Sequence, residues 1–201
     1  MENNEVIKYE GGLLKRVGNA ISISNKLLAA DKKPITILIA NDHMLFRNGL
    51  KKALLEASPN IKVIAEAGSF VEIFSQLKNV RPDILITDDQ MPHGNIVQDI
   101  PNIKKLYPDL KIIVNTMGAS FVVLSNYIEF INGLLEFTAS EKDYIEMIEK
   151  VYSGKNSFLK MNSENDKGGS IKYIFTEERE KFITIINKHV DELQIKYGKR
   201  E

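Results

Sequence analysis

Five short runs of aliphatic and β-branched residues, each followed by a turn and a helix-spaced pattern, constrain this chain more than any other feature. The runs are 35–40, 61–65, 84–87, 111–116 and 133–137. Apolar runs with little alternation suit strands covered on both faces, as in a parallel sheet. Between them, Phe46, Leu50 and Leu54 recur every fourth residue, and Val71, Phe74 and Leu77 mark a second helix. A third helix, opened or interrupted by Pro101, ends near Tyr107-Pro108, and residues 121–131 read as a strongly apolar fourth. Ser140 caps a last helix that turns Tyr144, Ile148 and Val151 inward. Strand–helix units in this order predict an α/β fold: a doubly wound, five-stranded parallel sheet with helices on both faces.

The flanks read differently. Residues 1–33 form an N-terminal helical arm and linker, in which Leu13, Val17, Ile21 and Leu28 fall roughly on one face after Gly11-Gly12. Packing on the main domain or a neighbouring copy, or docking another protein, would each use that face. Residues 34–157 hold the α/β domain, and residues 158–174 are a polar, Gly-containing linker. Residues 175–201 form a C-terminal helix, capped by Thr176, with Ile183, Ile186, Val190, Leu193 and Tyr197 at heptad spacing. That stripe suits either packing on its own domain or a short homodimeric seam.

Charge narrows the function. Lys+Arg and Asp+Glu are both 27 in 201 residues, so no net charge is left for a broad grip on nucleic acid or anionic membrane. The absence of Cys excludes disulfides, thiolate zinc sites and cysteine nucleophiles. The polar, acidic start is unlike a secretory signal, and no apolar run approaches membrane-spanning length. A soluble, cytoplasmic protein is the expectation.

Chemistry concentrates at the strand ends. In an open α/β sheet, ligands sit beyond the carboxyl ends of the strands. Strand one ends in Asn41-Asp42, strand three in Asp88 and strand four in Thr116. Two acids, an amide and a hydroxyl would face one crevice, an oxygen-rich set suited to Mg²⁺ and a phosphoryl group. A carboxylate there can act as nucleophile toward phosphorus. Asp88 and Asp89 are adjacent along a strand and so are expected to point to opposite faces, unable to work as a paired acid and base. His43, His93 and His189 have no ligand spacing, and no Ser-His-Asp order or phosphate-cradling Gly loop is present.

These motifs resemble the receiver domain of two-component response regulators, in the subfamily that joins a receiver to a LuxR-type (NarL-type) DNA-binding domain. The opening Ile37-Leu38-Ile39-Ala40-Asn41-Asp42-His43, with Leu45-Phe46-Arg47-Asn48-Gly49-Leu50, matches the family's first strand and turn. The segment from Pro82 to Pro92 matches its phosphoacceptor strand, Asn115-Thr116-Met117 its fourth strand and Gly133-Leu134-Leu135 its fifth. The resemblance covers roughly residues 35–155 and implies a flavodoxin-like fold. It implies that Asp88 is the phosphorylated aspartate and Thr116 the hydroxyl that bonds the phosphoryl oxygen and draws a loop inward. It further implies Mg²⁺ held by Asp42, Asp88 and the Gln90 backbone carbonyl, with Asn41 acting through water. A histidine kinase or another phosphodonor is the implied partner, and homodimerisation is open.

The departures are specific. The family ends its fifth strand in a Lys that pairs with the phosphoryl group, whereas Phe137 stands at that position with Glu136 beside it. Leu134 replaces the switch aromatic, and His93-Gly94-Asn95 displaces the loop Gly. Asn41 stands where a second acid is usual, which lowers the metal affinity expected of the site. Phe175-Thr176-Glu177-Glu178-Arg179-Glu180 resembles the start of the LuxR-type domain's first helix, or is simply an acidic capped helix. No segment supplies a recognition helix for the major groove, so sequence-specific DNA binding is not expected. Two readings follow: a non-enzymatic receiver that takes phosphate on Asp88, or a pseudo-receiver used as a phosphorylation-independent interaction or dimerisation module.

Overall fold

The computed structural model describes residues 33–118 and 121–158, together with residues 183, 184, 188 and 191. The chain divides into two units, Met1–Pro34 and Ile35–Glu201. Apart from Lys33 and Pro34, the N-terminal arm lies outside the described residues, as do most of the 158–174 linker and of the C-terminal helix. Ile183, Thr184, Lys188 and Asp191 are helical, and Ile183 packs against the core of the second unit.

That unit is a parallel sheet of β1 (Ile35–Ala40), β2 (Ile61–Ala67), β3 (Ile84–Asp88), β4 (Lys111–Thr116), β5 (Gly133–Glu136) and β6 (Ser157–Phe158). Five helices connect them: α1 (Met44–Ala57), α2 (Phe70–Asn79), α3 (Ile96–Leu106), α4 (Phe121–Ser125) and α5 (Glu141–Tyr152). The strand order is β2-β1-β3-β4-β5-β6, so the chain reverses direction across the sheet between β1 and β3. This is the flavodoxin-like arrangement, whose switch point is the preferred ligand site.

The expected doubly wound sheet is therefore present, with a sixth strand where five were expected. Ser157 and Phe158 pair with Gly133 and Leu134 after α5. Two residues carry no periodicity, and their pairing follows from where α5 returns the chain.

The sheet separates two cores because successive side chains alternate in direction. Leu38, Ala40, Leu85, Ile112, Val114 and Leu134 face a core shared with α2 and α3. Ile37, Ile39, Ile84, Ile86, Ile113 and Leu135 face a second core shared with α1 and α5. The caps are local. Ser69 accepts from the Glu72 N–H at 3.2 Å, and Asn95 accepts from the Val97 N–H at 2.8 Å. Ser140 and Asp143 form a reciprocal capping box on α5.

The apolar segment 121–131 is not one helix. α4 stops at Ser125, Asn126 and Tyr127 turn, and a 3-10 turn covers Ile128–Phe130. Leu124, Tyr127, Ile128 and Ile131 are all buried, the i, i+3, i+4, i+7 stripe of one helix face, so the burial expected of a helix is kept although the segment is not one continuous helix. Pro101, expected to open or interrupt this helix, sits inside α3, which continues on both sides of it.

Candidate active site at the β1/β3 switch point

Asp88 closes β3 at the centre of the sheet and is 9% exposed. Its side chain shares a face with Ile84 and Ile86, the face covered by α1 and α5. The Asn41 amide donates to Asp88 Oδ2 at 2.6 Å, and the Gln90 N–H donates to Oδ1 at 3.2 Å. Asn41 Oδ1 accepts from the His43 N–H at 2.8 Å, so this one side chain ties the end of β1 to Asp88. Arg47 Nη1 donates to the Asn41 carbonyl at 2.6 Å and holds the same turn from α1.

The Asp88 carboxyl is pushed up to about 6. Burial is the largest cause, and the Gln90 N–H opposes it. The Asp89 carboxyl, by side-chain contact and by charge, pushes it further up. The two acids act on each other across the strand end, although Asp89 meets Thr116 on the opposite face, as alternation predicts.

Thr116 ends β4 on the other face, and its hydroxyl donates to Asp89 Oδ2 at 2.5 Å. The same hydroxyl accepts from the Gly118 N–H at 3.1 Å. Asp42 is exposed at the mouth, where the His43 Nδ1 lies 2.7 Å from its Oδ1. Asp42, Asp89, Gln90, Met91, Asn95 and Val123 help to line an open cavity of about 560 Å³ beside this rim. Phe137, at the position of the family's lysine, stacks on Phe46 with ring centroids 4.9 Å apart and planes 22° apart. It belongs to the α1 side and does not line that cavity.

The donor set fits a weak magnesium site better than a strong one. Mg²⁺ is commonly held by one or two carboxylates plus phosphate oxygens and keeps several waters. The exposed Asp42, the buried Asp88 and the Gln90 carbonyl would be such donors. Asn41 spends its amide nitrogen on Asp88 and one lone pair of its oxygen on His43. Among the described residues, no group of three or more His, Cys, Asp or Glu side chains gathers as a metal cluster.

Sequence reasoning picked out Asp42, Asp88, Thr116, Asn41 and Gln90 but missed three partners. Asp89 was set aside by the face argument. Asn115, a lone amide in an apolar strand, was a visible signal and stands in register with Asp88. Phe46 was read only as a core position of α1.

A doubly wound sheet with an acid at the end of its central strand, beside further acids and a hydroxyl, defines a flavodoxin-like domain with an oxygen-rich site at its switch point. Residues 37–136 match the response regulator receiver domain, and this segment of the chain belongs to that family. DevR/DosR, a DNA-binding transcriptional activator of Mycobacterium tuberculosis, is 32% identical over 86 residues, 43% of this chain and 39% of that protein. The response regulator VraR of Staphylococcus epidermidis is 24% identical over 163 residues, 77% of this chain and 76% of that one. Among solved structures, the isolated REC domain of RcsB from Salmonella enterica serovar Typhimurium, with phosphomimetic BeF3-, aligns with a TM-score of 0.58. It is 26% identical and covers 63% of this chain and 94% of that domain. The match to DevR/DosR spans about two fifths of that protein's length.

Proposed function

We infer that the domain is a receiver in two-component phosphorelay signalling, taking a phosphoryl group on Asp88 and passing on the change through protein contacts. It has no enzyme activity of its own on this reading. One observation carries it: Asp88 ends the central strand, held by Asn41 and Gln90, at the rim that Asp42, Asp89 and Thr116 share. An Asp88 oxygen attacks phosphorus in line with the leaving group. The new O–P bond forms as the donor's P–N or P–O bond breaks, and the leaving group keeps the electron pair. Attack uses the ionised carboxylate, which a value of about 6 leaves dominant at neutral pH. Asn41 fixes one oxygen, leaving the rotation of the carboxylate small. Thr116 has to exchange Asp89 for a phosphoryl oxygen if it is to act as the family's hydroxyl does. When bound, Mg²⁺ supplies charge neutralisation for the incoming phosphate. Asp42, Asp88 and the Gln90 carbonyl would hold it, with Asn41 acting through water.

The partner on this reading is a histidine kinase or a small phosphodonor in the cytoplasm, with a second copy of the chain as a further partner. Reading of DNA sequence is not part of the proposal. A second reading, the pseudo-receiver, is favoured by the Phe46–Phe137 stack and by the Asn41 amide already on Asp88. Incubation with Mg²⁺ and acetyl phosphate separates the two. The receiver gains one phosphoryl adduct by intact mass, and Asp88→Asn gains none; a folded wild-type chain that never labels is a pseudo-receiver.

A further inference from the structure

Among the described residues on the Asp88 face of the sheet, Asn115 Nδ2, Asn115 Oδ1 and the Tyr144 hydroxyl oxygen are buried without a hydrogen-bond partner. Asn115 is 1% exposed and Tyr144 3%. Asn115 stands directly opposite Asp88 in the β3–β4 register, so the two side chains project side by side. Tyr144 descends on that face from the first turns of α5. The strand leading to Asn115 is apolar, Ile112-Ile113-Val114, and an apolar residue there would pack without orphaning an amide. Buried polar groups left unsatisfied lower stability and call for an explanation such as a functional contact.

We propose that Asn115 is a phosphoryl-contacting residue and Tyr144 its positioning residue, together supplying the donor that the family takes from the lysine replaced here by Phe137. The inference deepens the receiver reading and rests on it. An amide offers two N–H donors and one acceptor. With the Tyr144 O–H donating to Asn115 Oδ1, the Nδ2 hydrogens are left for an oxygen on the Asp88 side. Phe137, stacked on Phe46, keeps the lysine's place filled without bringing a cation.

The test uses the full chain with Mg²⁺ and acetyl phosphate, following the Asp88 labelling rate and the unfolding midpoint together. Asn115→Val, a residue of similar size suited to a strand, should raise the midpoint and slow labelling about tenfold or more, the effect of losing a hydrogen bond to a charged group. Tyr144→Phe alone should slow labelling by a smaller factor and add nothing in the Asn115→Val background. Phe137→Lys in that background should restore much of the rate. Wild-type labelling with an unchanged Asn115→Val rate overturns the role of Asn115 and leaves the receiver reading standing. A lowered midpoint in Asn115→Val marks a structural amide and also overturns it. A wild-type chain that does not label overturns the receiver reading, and this inference with it.

Discussion

The Thr116 hydroxyl and the Asp89 carboxylate meet at 2.5 Å, joining the ends of β4 and β3 on the face opposite Asp88. The Gly118 N–H donates to the same hydroxyl, so the start of the loop after β4 is fixed to Asp89 without any phosphoryl group. The hydroxyl expected to wait for phosphate already has an anionic partner.

Removing that partner should cost stability and free the loop. Thr116→Val loses a buried hydrogen bond to a carboxylate and should destabilise by about 1.5–3 kcal/mol in urea unfolding at pH 7. The Gly118 amide should lose hydrogen-exchange protection in the same variant. An unchanged Gly118 amide would show that the contact does not hold the loop.

Asp89 also acts on Asp88. Because its side chain and charge push the Asp88 carboxyl up, Asp89→Asn should bring Asp88 down from about 6 toward the usual carboxylate range. Carbonyl-carbon NMR titration in metal-free buffer reads this directly. An Asp88 that still titrates near its wild-type position would mean that burial alone sets it.

The α5 capping box gives a pH dependence of known sign. Its Ser140 hydroxyl and backbone N–H hold the Asp143 carboxyl below the usual range. A depressed carboxyl contributes stability above its unfolded value of 3.8, and that contribution is lost as pH falls through the lower folded value. Ser140→Ala should therefore cost about 1 kcal/mol at pH 7 and less at the acid end of the scale. A penalty that does not shrink on acidification would assign the cap to the hydroxyl alone.

Gly94 is a packing constraint in the loop after β3. A Cβ there would run into Phe70 at the start of α2 and the Asp99 carboxylate of α3. Asp99 in turn accepts from the Asn95 N–H at 2.6 Å, at the cap of α3. Gly94→Ala should destabilise by about 1–3 kcal/mol, as overpacking does, and shift the Asn95 and Val97 amide resonances.

How much of this was legible in the sequence depended on whether the signal was local. Runs such as Ile84–Thr87 and spacings such as Phe46, Leu50 and Leu54 carry their own periodicity, and the strands and helices they specify are present. In the apolar stretch 121–131 the buried Leu124, Tyr127, Ile128 and Ile131 keep the spacing of one helix face, so its break at Asn126 left no signal in the periodicity. At the rim, each strand-end residue was visible by its type. Which hydroxyl meets which carboxylate was not, because strand alternation says nothing about the turn that follows Asp88. The Phe46–Phe137 stack joins residues far apart in the chain, and the sequence showed only that a lysine was missing.

Phosphoryl transfer to Asp88 is the claim on which the functional account stands. Intact-mass and peptide analysis of the full chain after incubation with Mg²⁺ and acetyl phosphate tests it most directly. The account requires a single base-labile, hydroxylamine-sensitive adduct on Asp88 that Asp88→Asn abolishes. A folded protein that stays unmodified at every donor concentration, or that carries its adduct elsewhere, would contradict it.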